Sequence, residues 1–158
     1  MGNLREIISA GTMDFEGIQN PYFLLGLLSA FDNRYQAKAD NFFEEISWKQ
    51  FFAIICINLC KQNPTIKELS EIMGSSHQNV KQILNKLEKK GFVQIVLDEE
   101  DKRKQRILLT KKTEDFCREH DAGSQMIVGK IFENIDVNDI ETTIRTIMSM
   151  EDNLEKVI

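Results

Sequence analysis

The sequence is poor in residues that break or staple a chain: 158 residues include 3 Cys, 2 Pro, 8 Gly and 2 His. So little Gly and Pro leaves no room for a low-complexity or disordered chain. An odd cysteine count without CxxC spacing fits a reducing, cytoplasmic setting better than a disulfide scaffold. His77 and His120 have no Cys at ligand spacing, so no metal is expected. The longest apolar run, Phe51 to Ile57, is seven residues, against roughly 20 needed to span a bilayer. Near the start, Arg5 and Glu6 interrupt any apolar signal, and Glu6 breaks the acylation pattern that would follow Met1 and Gly2, so neither export nor anchoring is expected. GxSxG, HExxH, GxGxxG and phosphate-loop patterns are all missing, so neither catalysis nor a cofactor is expected. What remains is one domain, long enough to bury about 70% of the surface its unfolded chain exposes.

The formal charge is −5, unevenly spread. Residues 74–112 hold ten Lys and Arg against five acids, a local +5 that leaves −10 for the rest. A solvated helix face explains part of such an island but not the sign asymmetry, and a basic patch is what a polyanion responds to.

Residues up to Gly17 have weak pattern and read as a short arm. Asn20 then Pro21 reads as an N-cap followed by proline in the first turn, with Leu24, Leu27, Leu28, Phe31 and Tyr35 at helical spacing to about Ala39. Ser47 and Gln50 form a capping box, with Ile46 and Phe51 at staple positions, for a second helix reaching about Lys61. Thr65 and Glu68 form another box, opening a short helix with Ile66, Leu69 and Ile72 on one face and Gly74 at its end. Ser75 or Ser76 then caps a helix whose inner face is Val80, Ile83, Leu84 and Leu87, stopped by Gly91. Phe92 to Leu97 and Gln105 to Leu109 read as strands around the charged run 98–104. From Thr110 two helices follow, the second capped by Asp136 with Asp139 at N3 and carrying Ile140, Ile144, Ile147, Met150 and Leu154.

Helix, tight turn, helix and charged hairpin is the order of a winged helix-turn-helix. The fold class expected is mainly α with a small β-hairpin wing, the reading head at 46–112 and a helical dimerisation region at 18–45 and 113–158. Opposite the apolar face of the second helix of the pair stand His77, Gln78, Asn79, Lys81, Gln82, Asn85, Lys86 and Lys89, with Ser76 at its start. Gln and Asn pair with an adenine edge, and Lys meets guanine or phosphate. The bland alternative for 98–106 is a solvated hairpin tip.

These residues resemble the MarR family of transcriptional regulators, from about Ile46 to Thr110. The specific part is Leu87-Glu88-Lys89-Lys90-Gly91-Phe92-Val93, then Asp98-Glu99-Glu100-Asp101-Lys102-Arg103, then Leu109-Thr110. The resemblance places the wing signature Asp-x-Arg on Asp101 and Arg103, with Arg103 entering the minor groove and Asp101 shaping the tip; Lys102, Lys104 and Arg106 join them as candidate DNA contacts. Ser75, Ile95 and Thr113 depart from the family pattern, and Ile95 replaces an arginine that contacts phosphate. The resemblance also implies a homodimer through residues 18–39 and 137–157, double-stranded DNA with a pseudopalindromic operator as partner, and repression as the outcome. It further implies a small-molecule effector pocket, for which Phe23, Phe31, Trp48, Phe51 and Phe52 are the candidates. Cys56 and Cys60, one turn apart among apolar residues, read as buried inert thiols. The competing reading is a winged helix that binds another regulator through the acidic remainder without touching DNA.

Overall fold

A computed structural model describes residues 10, 11 and 13–157; most of the expected N-terminal arm, with Arg5 and Glu6, lies outside them. Among these described residues six helices and one hairpin follow in order: α1 (Asn20–Phe42), α2 (Trp48–Leu59), α3 (Ile66–Ile72), α4 (His77–Lys89), β1 (Val93–Leu97), β2 (Gln105–Leu109), α5 (Lys111–Ile131) and α6 (Val137–Leu154). The chain divides into two compact units, 1–110 and 111–158.

In the first unit, local chemistry sets the helix starts. The Ser47 hydroxyl accepts from the Gln50 amide at 3.3 Å while the Gln50 side chain accepts from Ser47 N–H at 3.1 Å. Thr65 and Glu68 repeat the exchange at 3.2 and 2.7 Å. Each pairing satisfies two of the donors that a helix N-terminus leaves open. Ser76, not Ser75, caps α4, accepting from Asn79 N–H at 3.3 Å. Gly74 and Gly91 end α3 and α4 at φ +58° and +78°, where a side chain would be strained.

The core lies between these elements. Ala53, Ile54, Leu69, Val80, Leu84, Leu87, Phe92, Val93 and Ile107 are essentially inaccessible. The strands pair antiparallel with Ile95 opposite Ile107. Arg106 also bridges to Thr65, and Ile107 N–H donates to Pro64 O at 2.9 Å, so the hairpin is stitched to the start of α3.

Several boundaries differ from expectation. Gln19, not Asn20, is the N-cap of α1 and makes no side-chain cap; Pro21 sits in the first turn. That helix runs to Phe42, past Ala39, and α2 stops at Leu59, before Lys61. Ile72 is exposed, being the last residue of a helix too short to carry its apolar face further. Phe92 is buried ahead of β1, not within it.

In the second unit, Thr113 and Phe116 are the buried residues of α5. Asp136 caps α6 as expected, accepting from Asn138 N–H at 2.8 Å, with Asp139 in the first turn. No residue of α6 is buried. Among the described residues no helix is long and apolar enough to cross a membrane.

Candidate nucleic-acid interface

The α4 face follows from its periodicity: Val80, Ile83, Leu84 and Leu87 point inward, so Ser76, His77, Gln78, Asn79, Lys81, Gln82 and Lys86 are left exposed. Of these, His77, Gln78, Lys81, Gln82 and Lys86 make no side-chain hydrogen bond or ion pair among the described residues. Two of the expected readers are partly engaged. Ser76 is the cap, and the Asn79 amide donates to Ser75 Oγ at 2.8 Å.

At the hairpin tip, Asp98 Oδ1 accepts the N–H groups of Glu100 and Asp101 at 2.9 and 2.8 Å, folding the chain into a turn. Asp101 then accepts from Arg103 three times, from N–H at 3.2 Å, Nε at 3.0 Å and a terminal guanidinium nitrogen at 3.3 Å. Lys104 Nζ lies 3.7 Å from the same carboxylate. The Arg103 side chain nonetheless stays 92% exposed while Asp101 is 28% exposed, so the acid sits behind the base. Lys102 is exposed and unpaired among the described residues. The Arg103 guanidinium, aided by its own N–H, holds the Asp101 carboxyl below its usual range.

Arg106 differs from its neighbours. Its side chain is 26% exposed, and its Nε pairs with Asp98 Oδ2. Its terminal nitrogen donates to Asn63 O at 3.0 Å and Glu68 Oε2 at 3.3 Å. The geometry therefore does not present Arg106 outward with Lys102, Arg103 and Lys104. Asp98, Asn63 and Glu68 were missed as wing anchors; the only local signal was the Asp98-Glu99-Glu100 run, whose first carboxylate can close a turn on its own backbone. A further brace was missed: Glu88 of α4 accepts from Ile95 N–H on β1 at 3.2 Å. Ile95 thus supplies no cation, while its backbone ties wing to helix.

The five aromatics expected to line one pocket are not all brought together. Phe31 stacks on Tyr35 at 6.1 Å, Tyr35 meets Trp48 edge-on at 4.7 Å, and Trp48 lies 6.1 Å from both Phe51 and Phe52. Phe23 is apart, against Phe15 at 5.3 Å. A cavity of about 410 Å³ takes Trp48 and Phe52, together with Tyr35, Lys49, Ser75 and Asn79. Phe51 instead packs on Phe43 at 4.4 Å. Helix spacing could not place Phe51 and Phe23 because ring partners lie on other segments.

Cys56, Cys60 and Cys117 are unpaired thiols. Burial pushes the Cys56 and Cys117 thiols up, away from the reactive thiolate. Among the described residues no group of three or more His, Cys, Asp or Glu is placed to hold a metal.

Residues 57–104 match the MarR family model. Solved structures share the fold over most of both chains. A MarR/EmrR family transcriptional regulator from Acinetobacter sp. ADP1 is 15% identical, with a TM-score of 0.78 over 88% of this chain and 99% of its own. Streptococcus pneumoniae FabT, solved in complex with DNA, is 24% identical, with a TM-score of 0.63 over 89% and 100%. Bordetella bronchiseptica BpsR, whose DNA binding is regulated by 6-hydroxynicotinic acid, is 13% identical, with a TM-score of 0.71 over 89% and 98%. No curated protein sequence matches the chain. The chain has the mainly α fold with a β-hairpin wing of MarR-type winged-helix regulators.

Proposed function

We propose that this MarR-like chain is a homodimeric, sequence-specific DNA-binding regulator that represses by occupying a pseudopalindromic promoter site, and that it is not an enzyme. The observation that carries this reading is the pairing of two presented surfaces in one unit. An α4 face of unpaired His77, Gln78, Lys81, Gln82 and Lys86 stands with a wing whose Arg103 is held outward by Asp101. Amides on a helix face suit base edges in the major groove, and a guanidinium suits the negative potential of a narrow minor groove. Gln78, Asn79 and Gln82 are assigned to bases; Lys81, Lys86 and Lys104 are assigned to phosphate. The cavity at Trp48 and Phe52 reaches Ser75 and Asn79 at the start of α4, so a small molecule bound there would act on the reading helix.

The test is selection of bound duplexes from a random pool by the full chain. The expected result is a two-fold site with half-sites about one helical turn apart, and a Gln82→Ala variant that loses about 1 to 3 kcal/mol on that site but little on random duplex. Failure to enrich any sequence at low salt would overturn the reading and favour a protein-binding winged helix, and equal losses on specific and random DNA would overturn the assignment of Gln82 to a base.

A further inference from the structure

The hairpin carries four cations, Lys102, Arg103, Lys104 and Arg106. By composition alone they are equivalent candidates for phosphate. The structure separates one of them. Arg106 lies at the point where the wing meets the helix pair, and its guanidinium holds three groups at once: the Asp98 carboxylate, the Asn63 carbonyl and the Glu68 carboxylate. Each partner has a second duty. Glu68 Oε2 also caps α3 through Thr65 N–H at 2.7 Å. Asp98 also folds the tip through the amides of Glu100 and Asp101, and Asp101 in turn holds Arg103.

We propose that Arg106 is a positioning residue, a clamp that fixes the wing on the N-terminus of α3 and thereby sets where Arg103 is presented, and that it is not itself a DNA ligand. The inference rests on the DNA-binding reading above. A planar guanidinium suits the role because its fork can meet a carboxylate with one edge and a carbonyl with another, whereas an ammonium supplies a single point of charge. Its Nε and one terminal nitrogen are already engaged and three quarters of its side chain is covered, so turning the guanidinium toward a phosphate would mean breaking charge-assisted bonds.

Two properties distinguish a clamp from a contact. A side chain that neutralises a phosphate releases counterions, so losing it flattens the dependence of log affinity on log salt by about 0.9. A clamp leaves that slope alone. A clamp that acts through Arg103 also loses its effect once Arg103 is gone, whereas independent contacts add.

The experiment measures operator affinity of the full-length wild type, Arg106→Gln, Arg106→Lys, Arg103→Ala and the Arg103→Ala/Arg106→Gln double variant between about 50 and 200 mM salt. Arg106→Gln is expected to bind about ten-fold more weakly with the wild-type salt slope, and Arg106→Lys to recover only part of the loss. In the Arg103→Ala background the Arg106→Gln loss is expected to shrink to about two-fold or less. A slope reduced by about one, or losses that simply add, would show that Arg106 is a phosphate ligand and overturn the proposal. Amide hydrogen exchange of the same variants gives a readout that needs no DNA. Arg106→Gln should speed exchange at Asp101 and Lys104 about ten-fold while leaving Val80 to Leu87 unchanged. Unchanged wing exchange would overturn the clamp, whereas faster wing exchange in a protein that binds no duplex would uphold the clamp and sink the DNA reading.

Discussion

The winged helix and the two long flanking helices use apolar side chains in opposite ways. Within α2 to β2 one set of them is inside, with Leu69, Val80, Leu84, Leu87, Phe92 and Ile107 inaccessible, and Leu59, Ile72 and Leu97 at element ends are exposed. In α1 and α6 not one residue is buried, although Tyr22, Leu25 and Phe31 on the first and Ile144, Ile147, Met148 and Leu154 on the last are large and apolar. Helix propensity alone does not stabilise such segments; helices in proteins owe most of their stability to a covered face. The winged helix closes its own core, whereas each flanking helix displays exposed apolar side chains, which the proposed homodimer would cover with a second copy of the chain. The charge split follows a related line, since the +5 island occupies residues 74–112 and the remainder is acidic.

The largest expected effect would break the flanking half of that contrast. Deleting residues 137–158 removes the α6 stripe and should leave monomeric or insoluble protein, read by sedimentation at micromolar concentration beside a dimeric full-length chain. A well-folded full-length monomer under those conditions would show that the exposed stripes need no partner. Next comes a pair of truncations that sharpens the contrast. Leu87→Ala empties a fully buried site and should cost about 2 to 5 kcal/mol. Ile144→Ala, at 51% exposure in the single chain, should act only through association, so its effect on the unfolding midpoint should shrink as protein concentration falls, whereas that of Leu87→Ala should persist.

The same division governs how much was legible in the sequence. Caps are local, so Ser47 with Gln50 and Thr65 with Glu68 announced α2 and α3 from three-residue spacings. Periodicity placed Val80, Ile83, Leu84 and Leu87 inside because a helix in contact with a core has a single inner face. The Gln105–Leu109 strand was legible from its residues alone. Long-range pairings were not. Arg106 and Glu68 are 38 positions apart, and nothing local distinguishes a clamped arginine from the exposed cations beside it. The aromatic ladder failed for the same reason: Phe23 and Phe31 share a helix but not a neighbour, and only the fold shows that Tyr35 links Phe31 to Trp48. At α1, Pro21 marked a helix start without deciding which preceding residue would be the cap.

A smaller effect is expected at the wing tip, where charge and geometry can be separated. Arg103→Lys keeps the charge but loses the planar fork held by Asp101, so DNA affinity should fall, more on sites with A·T-rich flanks than on G·C-rich ones. Asp101→Ala removes a negative charge beside the DNA and should nevertheless weaken binding by roughly ten-fold, or about 1.4 kcal/mol. Measured at two salt concentrations, tighter binding than wild type would mean that the acid only repels phosphate.

The smallest effect should appear in acid and would divide the winged helix itself, wing from core. The Asp98 carboxyl is lowered from 3.8 to about 2, chiefly by the Asp101 N–H and next by the Arg106 guanidinium, with the Glu100 N–H adding to them. Glu68 is held low through Thr65 and then Arg106, and Asp101 through Arg103. A carboxyl that ionises more readily folded than unfolded stabilises the fold fully above its unfolded value and loses that contribution as pH falls through its folded one. The wing turn should therefore be unaffected by pH above about 4 and loosen toward about 2, as Asp98 takes up its proton and releases the Asp101 amide and Arg106. The core of α4, held by Val80, Leu84 and Leu87, has no carboxylate among its buried residues and supplies an internal reference. Protection factors followed across that range should fall at Asp101 while those of Val80 to Leu87 hold. In Asp98→Asn the amide oxygen still accepts the turn's N–H groups but carries no charge, so the wing should be looser at neutral pH and show a weaker response to acid. If wild-type Asp101 and the α4 core lose protection together, the clamp has no acid-sensitive step of its own and the wing opens only when the whole unit does.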